Sequence, residues 1–226
     1  MRVSEFQRLG YAMLPAMADA AALSRIDAAL TASGPLVGAR QMLQLDWCAA
    51  LAEVLRGQLV AAGLLPVESV SVQCALFEKS LEHNWLVAPH QDLSIPVRAR
   101  VANAALTGWS EKDGMLFVQP PVSVLATMLA LRLHIDDCSV DDGALKVVPG
   151  SHLGGRLQDP DKGRLRAELG EVLCPVDAGG GMAMRPLLLH ASSKAVGTSR
   201  RRVLHFVFGP ARLPDGLAWG ESLVDQ

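Results

Sequence analysis

Two imidazoles and one carboxylate stand out as a donor set for a metal ion. His90 and Asp92 form an H-x-D pair within HQD (90–92), and His190 closes the run RPLLLH, 98 residues beyond Asp92. Two nitrogens and one oxygen on one face of a metal leave its other positions open, which is the arrangement of non-haem Fe(II) centres that activate dioxygen. A tripeptide alone is a weak signal, so the elements around it must supply the geometry. Side chains at i and i+2 of a strand point the same way, so an extended HQD aims His90 and Asp92 together and turns Gln91 aside. The segment NWLVAPHQDLSIPV (84–97) is rich in Val, Leu, Ile and Trp and reads as extended, with Pro89 interrupting it at an edge or bulge.

The later chain has the same texture. LALRLHIDDCSVDDGALKVVPGSH (129–152) reads as a strand to about Ile135, an acidic turn closing on Gly143, a short strand ALKVV and a tight PGSH turn. EVLCPV (171–176), a GGG bend, MAMRPLLLH (182–190) and RRRVLHFVFG (200–209) follow as further short strands. Many short strands divided by turn residues predict a mainly β chain, a barrel or two-sheet jelly roll with peripheral helices, rather than a βαβ domain. The first third reads as helical packing. Asp19 to Ser33 carries apolar residues at 22, 23, 26, 29 and 30 and stops at Gly34-Pro35, and Asp46 is placed to cap a second helix through about Ala62, ended by Gly63. One domain is therefore expected over 1–226, with 1–66 mainly helical and 67–210 the jelly-roll core.

HQD, DDGALKVVPGSH and HASS with RRRVLHF together resemble the phytanoyl-CoA dioxygenase family, Fe(II)- and 2-oxoglutarate-dependent oxygenases built on a double-stranded β-helix (cupin-like). The resemblance spans about residues 70–209. It implies that His90 and Asp92 are the first two iron ligands and His190 the distal one. It further implies oxidation of a small organic or acyl substrate by O2, with 2-oxoglutarate as cosubstrate and succinate and CO2 released. Arg201, eleven residues after His190, falls where the family places the arginine that grips the far carboxylate of 2-oxoglutarate. A planar guanidinium suits that task, since it pairs bidentately with carboxylate. Arg200 and Arg202 compete for it. On a strand Arg201 shares a face with Val203, His205 and Val207, and Arg202 with Leu204, Phe206 and Phe208; periodicity does not choose, and only the family spacing favours Arg201. Pro89 departs from the family, where an aromatic often precedes the first ligand. Asp92 points to hydroxylation or a related oxidation, because halogenating relatives carry a small residue there. Gln73, on SVQCALF, is a candidate inward polar group for cosubstrate or substrate.

The remaining features set bounds. Half of the 226 residues are hydrophobic and the formal charge is −2, enough for one sizeable core and no electrostatic footprint for nucleic acid or an anionic membrane. No apolar run reaches about 18 residues and MRVSEFQRLG lacks a signal-peptide core, so a cytoplasmic location is expected. Cys48, Cys74, Cys138 and Cys174 show no C-x-x-C pairing and read as buried thiols. His83 reads as solvated, His152 as fixing its turn or replacing His190 as a ligand, His134, alternating with Arg132 and Asp136, as an imidazole satisfied by local hydrogen bonds or a substrate contact facing the cavity, and His205 as a neighbour of Arg201. Trp85 and the long insert at about 98–120, with Trp109, are expected to wall or cover the pocket. Two rival classes share this donor set: a cupin-like metal-binding protein without oxygenase activity, and a Zn or Mn enzyme that does not use 2-oxoglutarate, in which Arg201 is only structural. Imidazole and carboxylate ligands do not by themselves select iron over zinc.

Overall fold

A computed structural model describes residues 3–34, 38–197 and 200–220. In chain order the elements are α1 (Val3–Leu9), β1 (Tyr11–Leu14), α2 (Ala20–Ala32), α3 (Asp46–Ala61), β2 (Val70–Lys79), β3 (Val87–His90), β4 (Ile95–Val97), β5 (Thr107–Lys112) and β6 (Met115–Gln119). They continue with α4 (Val122–Thr127), β7 (Leu129–His134), β8 (Leu145–Val147), α5 (Asp159–Leu169), β9 (Val172–Cys174), β10 (Gly181–Met184), β11 (His190–Ser192) and β12 (Arg201–Gly209). A five-stranded sheet runs β1-β10-β7-β12-β2 and a four-stranded sheet β3-β11-β8-β9, with β4-β6-β5 as a smaller third sheet. The named strand pairs are antiparallel, and the whole is a jelly roll with peripheral helices.

Strand alternation explains how the larger sheet works. Cys74 and Leu76 of β2, Leu131 and Leu133 of β7, and Leu204 and Phe206 of β12 pack against Ile26 and Leu30 of α2 and Leu55 and Leu59 of α3 in one core. The residues between them point to the other face, where Gln73, Phe77, Lys79, Arg132 and His205 line cavities. The helices thus seal one side of the sheet and leave the other for chemistry.

Several sequence expectations are corrected. Asp19 is the N-cap of α2, accepting from the Ala22 amide at 2.7 Å. Asp46 is the first helical residue of α3 rather than its cap, which is Leu45 with no side-chain bond; its carboxylate still sits at the positive end of the helix dipole. Gly63 follows the α3 C-cap at φ +70°, whereas Pro35 lies outside the described residues. The first 66 residues also supply a strand, since β1 forms the sheet edge through Tyr11↔Met184. The stretch 84–97 is two strands, β3 in the four-stranded sheet and β4 paired with β6. The insert after it is the β5–β6 hairpin, a wall contributing Lys112 and Phe117 to a cavity, while Trp109 instead lies under the Arg100 guanidinium, 5.1 Å from its ring centre. The α5 helix buries no side chain and is laced by surface pairs such as Arg164–Glu168 at 3.0 Å; with no apolar stripe it leaves no helical periodicity to read. The four cysteines are buried and free, and among the described residues no helix is long and apolar enough to cross a membrane.

Candidate functional site

β3 and β11 bring the two distant histidines side by side, with His190 and His90 direct partners across the ladder and their ring centres 4.2 Å apart. β3 ends at His90, and the chain stays extended past it, tied by the Asp92 amide to the Pro186 carbonyl at 2.9 Å. Gln91 turns away, as the i, i+2 relation requires, and fastens the loop: its Nε2 donates to the carbonyls of Gly155 and Leu187 at 2.8 and 2.6 Å, and its Oε1 accepts from the Leu157 amide at 2.8 Å. His90, Asp92 and His190 then offer ligand atoms all within 4.8 Å of one another.

The details suit a divalent cation. His90 and His190 each donate from Nδ1 to a carbonyl two residues back, of Ala88 and Leu188, at 2.9 Å. Each ring therefore turns a lone pair on Nε2 toward Asp92, at 3.7 Å from Oδ1 for His90 and 3.8 Å from Oδ2 for His190. Asp92 Oδ2 is buried with no hydrogen-bond partner among the described residues, so the carboxylate is left with an unmet need for a cation or a donor. Burial brings the His190 pKa down to about 4, so its ring is the neutral form that ligates. Burial pushes the Asp92 carboxyl up, but the imidazoles of His190, His205 and His90 and the Arg132 charge outweigh it and hold the pKa below the usual value.

Two cavities share the wall made by Phe77, His90, Asp92 and His205. The first, about 250 Å³, is cationic: Lys79, Arg132 and Arg201 line it together with Trp85, His190 and Ser192. Burial lowers the pKa of both Arg132 and Arg201, outweighing Asp92, on the wall of the same cavity, which favours the charged form of Arg132, and Asp142, which favours that of Arg201; the buried Nε of Arg201 has no partner among the described residues. Lys79 donates to Ser192 Oγ at 2.7 Å and to the Ser193 carbonyl; burial first, then Arg201 and Arg132, lower its pKa to about 8. Gly143 makes room for that contact, since at φ +70° a Cβ there would come within 2.9 Å of Lys79 Nζ. The second cavity, about 330 Å³, has an apolar side made by Ile95, Leu125, Met128 and Val207, with Gln73 on its wall.

Of the sequence candidates, His90, Asp92 and His190 come together, Arg201 faces the cationic cavity and Gln73 the second one. Arg202 points to the helix side, where its Nε and Nη2 hold Asp136 at 2.8 and 2.7 Å and its Nη1 holds Asp27 at 2.5 Å. Arg200 pairs with Glu78 at 2.9 Å. His83 is exposed. His152 donates from Nε2 to the Gln7 carbonyl at 3.0 Å and so fastens α1 rather than its own turn, apart from the ligand cluster. His134 is buried with an unpartnered Nδ1, against the expectation of a satisfied ring; burial, then Arg132 and Arg201, drive its pKa to about 3. Lys79, Arg132 and Ser192 had not been singled out as cavity residues. Lys79 was within reach, because it lies six residues from Gln73 and therefore on the same strand face.

Solved structures share this fold. The non-heme alpha-ketoglutarate-dependent carbocyclase SnoK from nogalamycin biosynthesis superposes with a TM-score of 0.65 at 17% identity, over 98% of this chain and 86% of its own. AviO1 from Streptomyces viridochromogenes Tue57 gives 0.65 at 22%, over 94% and 96%. HygX from Streptomyces hygroscopicus, solved with iron bound, gives 0.63 at 16%, over 95% and 89%. No curated protein is matched by the sequence. The phytanoyl-CoA dioxygenase (PhyH) sequence profile matches residues 6–203, nearly the whole jelly roll and its helical cover, so the chain belongs to the phytanoyl-CoA dioxygenase family.

Proposed function

We propose that this protein is an Fe(II)- and 2-oxoglutarate-dependent dioxygenase that hydroxylates a small organic or acyl substrate, converting 2-oxoglutarate and O2 to succinate and CO2 as the substrate gains one oxygen atom. The observation that carries this reading is the juxtaposition of the His90–Asp92–His190 cluster with a cavity lined by three buried cationic side chains, Lys79, Arg132 and Arg201. The cluster has three donors and open faces, as an iron centre that must accept further ligands requires. Lys79, Arg132 and Arg201 are buried charges, and such charges need partners; a dicarboxylate reaching from the metal into this cavity supplies them. The likeness to HygX, also solved with nickel and 2-oxoglutarate bound, supports the same pairing of metal and keto acid.

The parts divide as follows. His90 and His190 through Nε2, and Asp92 through its carboxylate, hold the iron, and their hydrogen bonds to Ala88, Leu188 and Pro186 fix their directions. Arg201 grips the far carboxylate of 2-oxoglutarate as a planar fork, with Lys79 and Arg132 adding charge nearby. Iron with 2-oxoglutarate supplies the oxidising chemistry, which belongs to the cofactors. The 330 Å³ cavity is the substrate chamber, where Ile95, Leu125, Met128 and Val207 exclude water from an apolar body and Gln73 offers it a hydrogen bond. Purified protein supplied with Fe(II), 2-oxoglutarate and O2 should form succinate, faster when fractionated cell extract provides the substrate. Absence of succinate under every fraction, with iron bound, would remove the oxygenase reading.

A further inference from the structure

Three imidazoles surround the Asp92 carboxylate. Besides His90 and His190, His205 places Nε2 3.8 Å from Oδ2, the same separation as His190. The distances alone do not separate ligand from neighbour, but the hydrogen bonds on the far sides of the rings do. A backbone carbonyl only accepts, so the Nδ1 atoms of His90 and His190, facing Ala88 and Leu188, carry the protons and leave Nε2 with a lone pair. The Nδ1 of His205 faces Arg132 Nη1 at 3.5 Å. A guanidinium only donates, so this Nδ1 accepts, and the proton of the neutral ring lies on Nε2, toward Asp92. The third ring has the opposite tautomer.

We infer that His205, held in this tautomer by Arg132, is a positioning residue that donates a hydrogen bond to Asp92 and orients its carboxylate, and is not a third histidine ligand. The inference rests on the metal reading of the cluster. Arg132 and His205 are direct partners across β7 and β12 and both are buried. Arg132 is held in place over Phe77, 5.7 Å from the ring centre, and its charge also acts on Asp92. Asp92 has the matching need. A carboxylate that binds a metal through one oxygen leaves the other to be satisfied, and Oδ2 has no partner among the described residues. A shift of about 1 Å brings the Nε2–H into the usual hydrogen-bond range. Partners of this kind typically contribute 10- to 100-fold to metal affinity.

The direct test is nitrogen-15 NMR of the full chain labelled at histidine, with each ring assigned by single substitution, in the metal-free and Zn(II)-bound forms. His90 and His190 should show Nδ1–H in the metal-free protein and His205 Nε2–H in both forms; an Nδ1–H His205 overturns the inference. The second measurement is Co(II) affinity without 2-oxoglutarate or turnover. His205→Ala should bind Co(II) about 10- to 100-fold more weakly, and His205→Gln, whose amide can donate, should regain part of that. Arg132→Met should shift affinity in the same direction by less. Wild-type affinity in His205→Ala shows no positioning role, and a loss as complete as that of His190→Ala makes His205 a ligand; either result refutes the inference. Unchanged Co(II) binding in His90→Ala and His190→Ala would mean that the metal reading itself had failed. If His205→Ala does not fold, as judged by circular dichroism, His205→Gln and the NMR tautomer decide.

Discussion

Arg201 and Arg202 are consecutive on β12, yet their guanidinium groups lie on opposite faces of one sheet. Arg201 enters the cavity beside Lys79 and Arg132, while Arg202 is clamped by Asp136 and Asp27 under the helices. Their substitutions should therefore separate cleanly. Arg201→Ala should weaken 2-oxoglutarate binding by tenfold or more, about 1.4 kcal/mol, and leave Fe(II) binding nearly unchanged. Arg202→Ala removes the charge-assisted hydrogen bonds to the partly exposed Asp136 and should cost about 2 kcal/mol of stability with little effect on 2-oxoglutarate affinity. Calorimetric titration and chemical denaturation of both variants check this; the reversed pattern would assign the cosubstrate to the wrong arginine.

Gln91 predicts a stability effect at the heart of the site. Its amide satisfies two carbonyls and one amide of the buried backbone. Gln91→Ala should lower stability by about 3 kcal/mol, one or more for each polar group left unmet, and should weaken Fe(II) binding because Asp92 is the next residue. A urea titration that overlays the wild type would contradict this.

Lys79 predicts a pH dependence. Its pKa in the free protein is lowered to about 8 from 10.5, so between those values the unfolded chain holds the proton more firmly and ligand-free stability should rise with pH. Cosubstrate binding has the opposite sign. A bound dicarboxylate favours the charged amine, so 2-oxoglutarate affinity should be flat below about pH 8 and fall above it, by up to about tenfold per pH unit. Lys79→Met should bind more weakly and lose this dependence; a dependence retained in Lys79→Met would place its origin elsewhere.

The three ligand candidates should act alike. His90→Ala, Asp92→Ala and His190→Ala should each lower Fe(II) affinity by at least 100-fold while the melting temperature of the metal-free protein stays close to wild type, because the side chains line a cavity. His152→Ala should keep its iron and lose stability through the lost bond to Gln7. Full iron affinity in His190→Ala would remove that residue from the set.

What the sequence disclosed follows from how local each signal is. HQD was legible because i, i+2 alternation brings His90 and Asp92 together without knowledge of the fold. His190 meets His90 only through the β3–β11 ladder, across a separation that no local pattern spans. β12 was legible as a strand but not as a choice between Arg201 and Arg202, because helices cover one face and the cavity side is also enclosed; eight of its nine residues are buried, which erases the polar–apolar alternation. Lys79 and Arg132 were hidden for the same reason, as charged residues within strands whose faces only tertiary packing distinguishes. The four residues of β1 are too few to carry a period. His134 shows the limit in another form, since the lack of a partner for its Nδ1 depends on neighbours from other strands.

The central claim, that the His90–Asp92–His190 cluster holds iron with its open face toward a cavity for 2-oxoglutarate, is tested most directly by anaerobic absorption spectroscopy. Adding 2-oxoglutarate to the Fe(II) protein without O2 should produce a weak visible metal-to-ligand charge-transfer band, because the keto acid chelates the positions left by three protein ligands. The band should require far more 2-oxoglutarate in Arg201→Ala and be absent in His190→Ala. A wild-type protein that binds Fe(II) fully and shows no band at saturating 2-oxoglutarate would contradict the account.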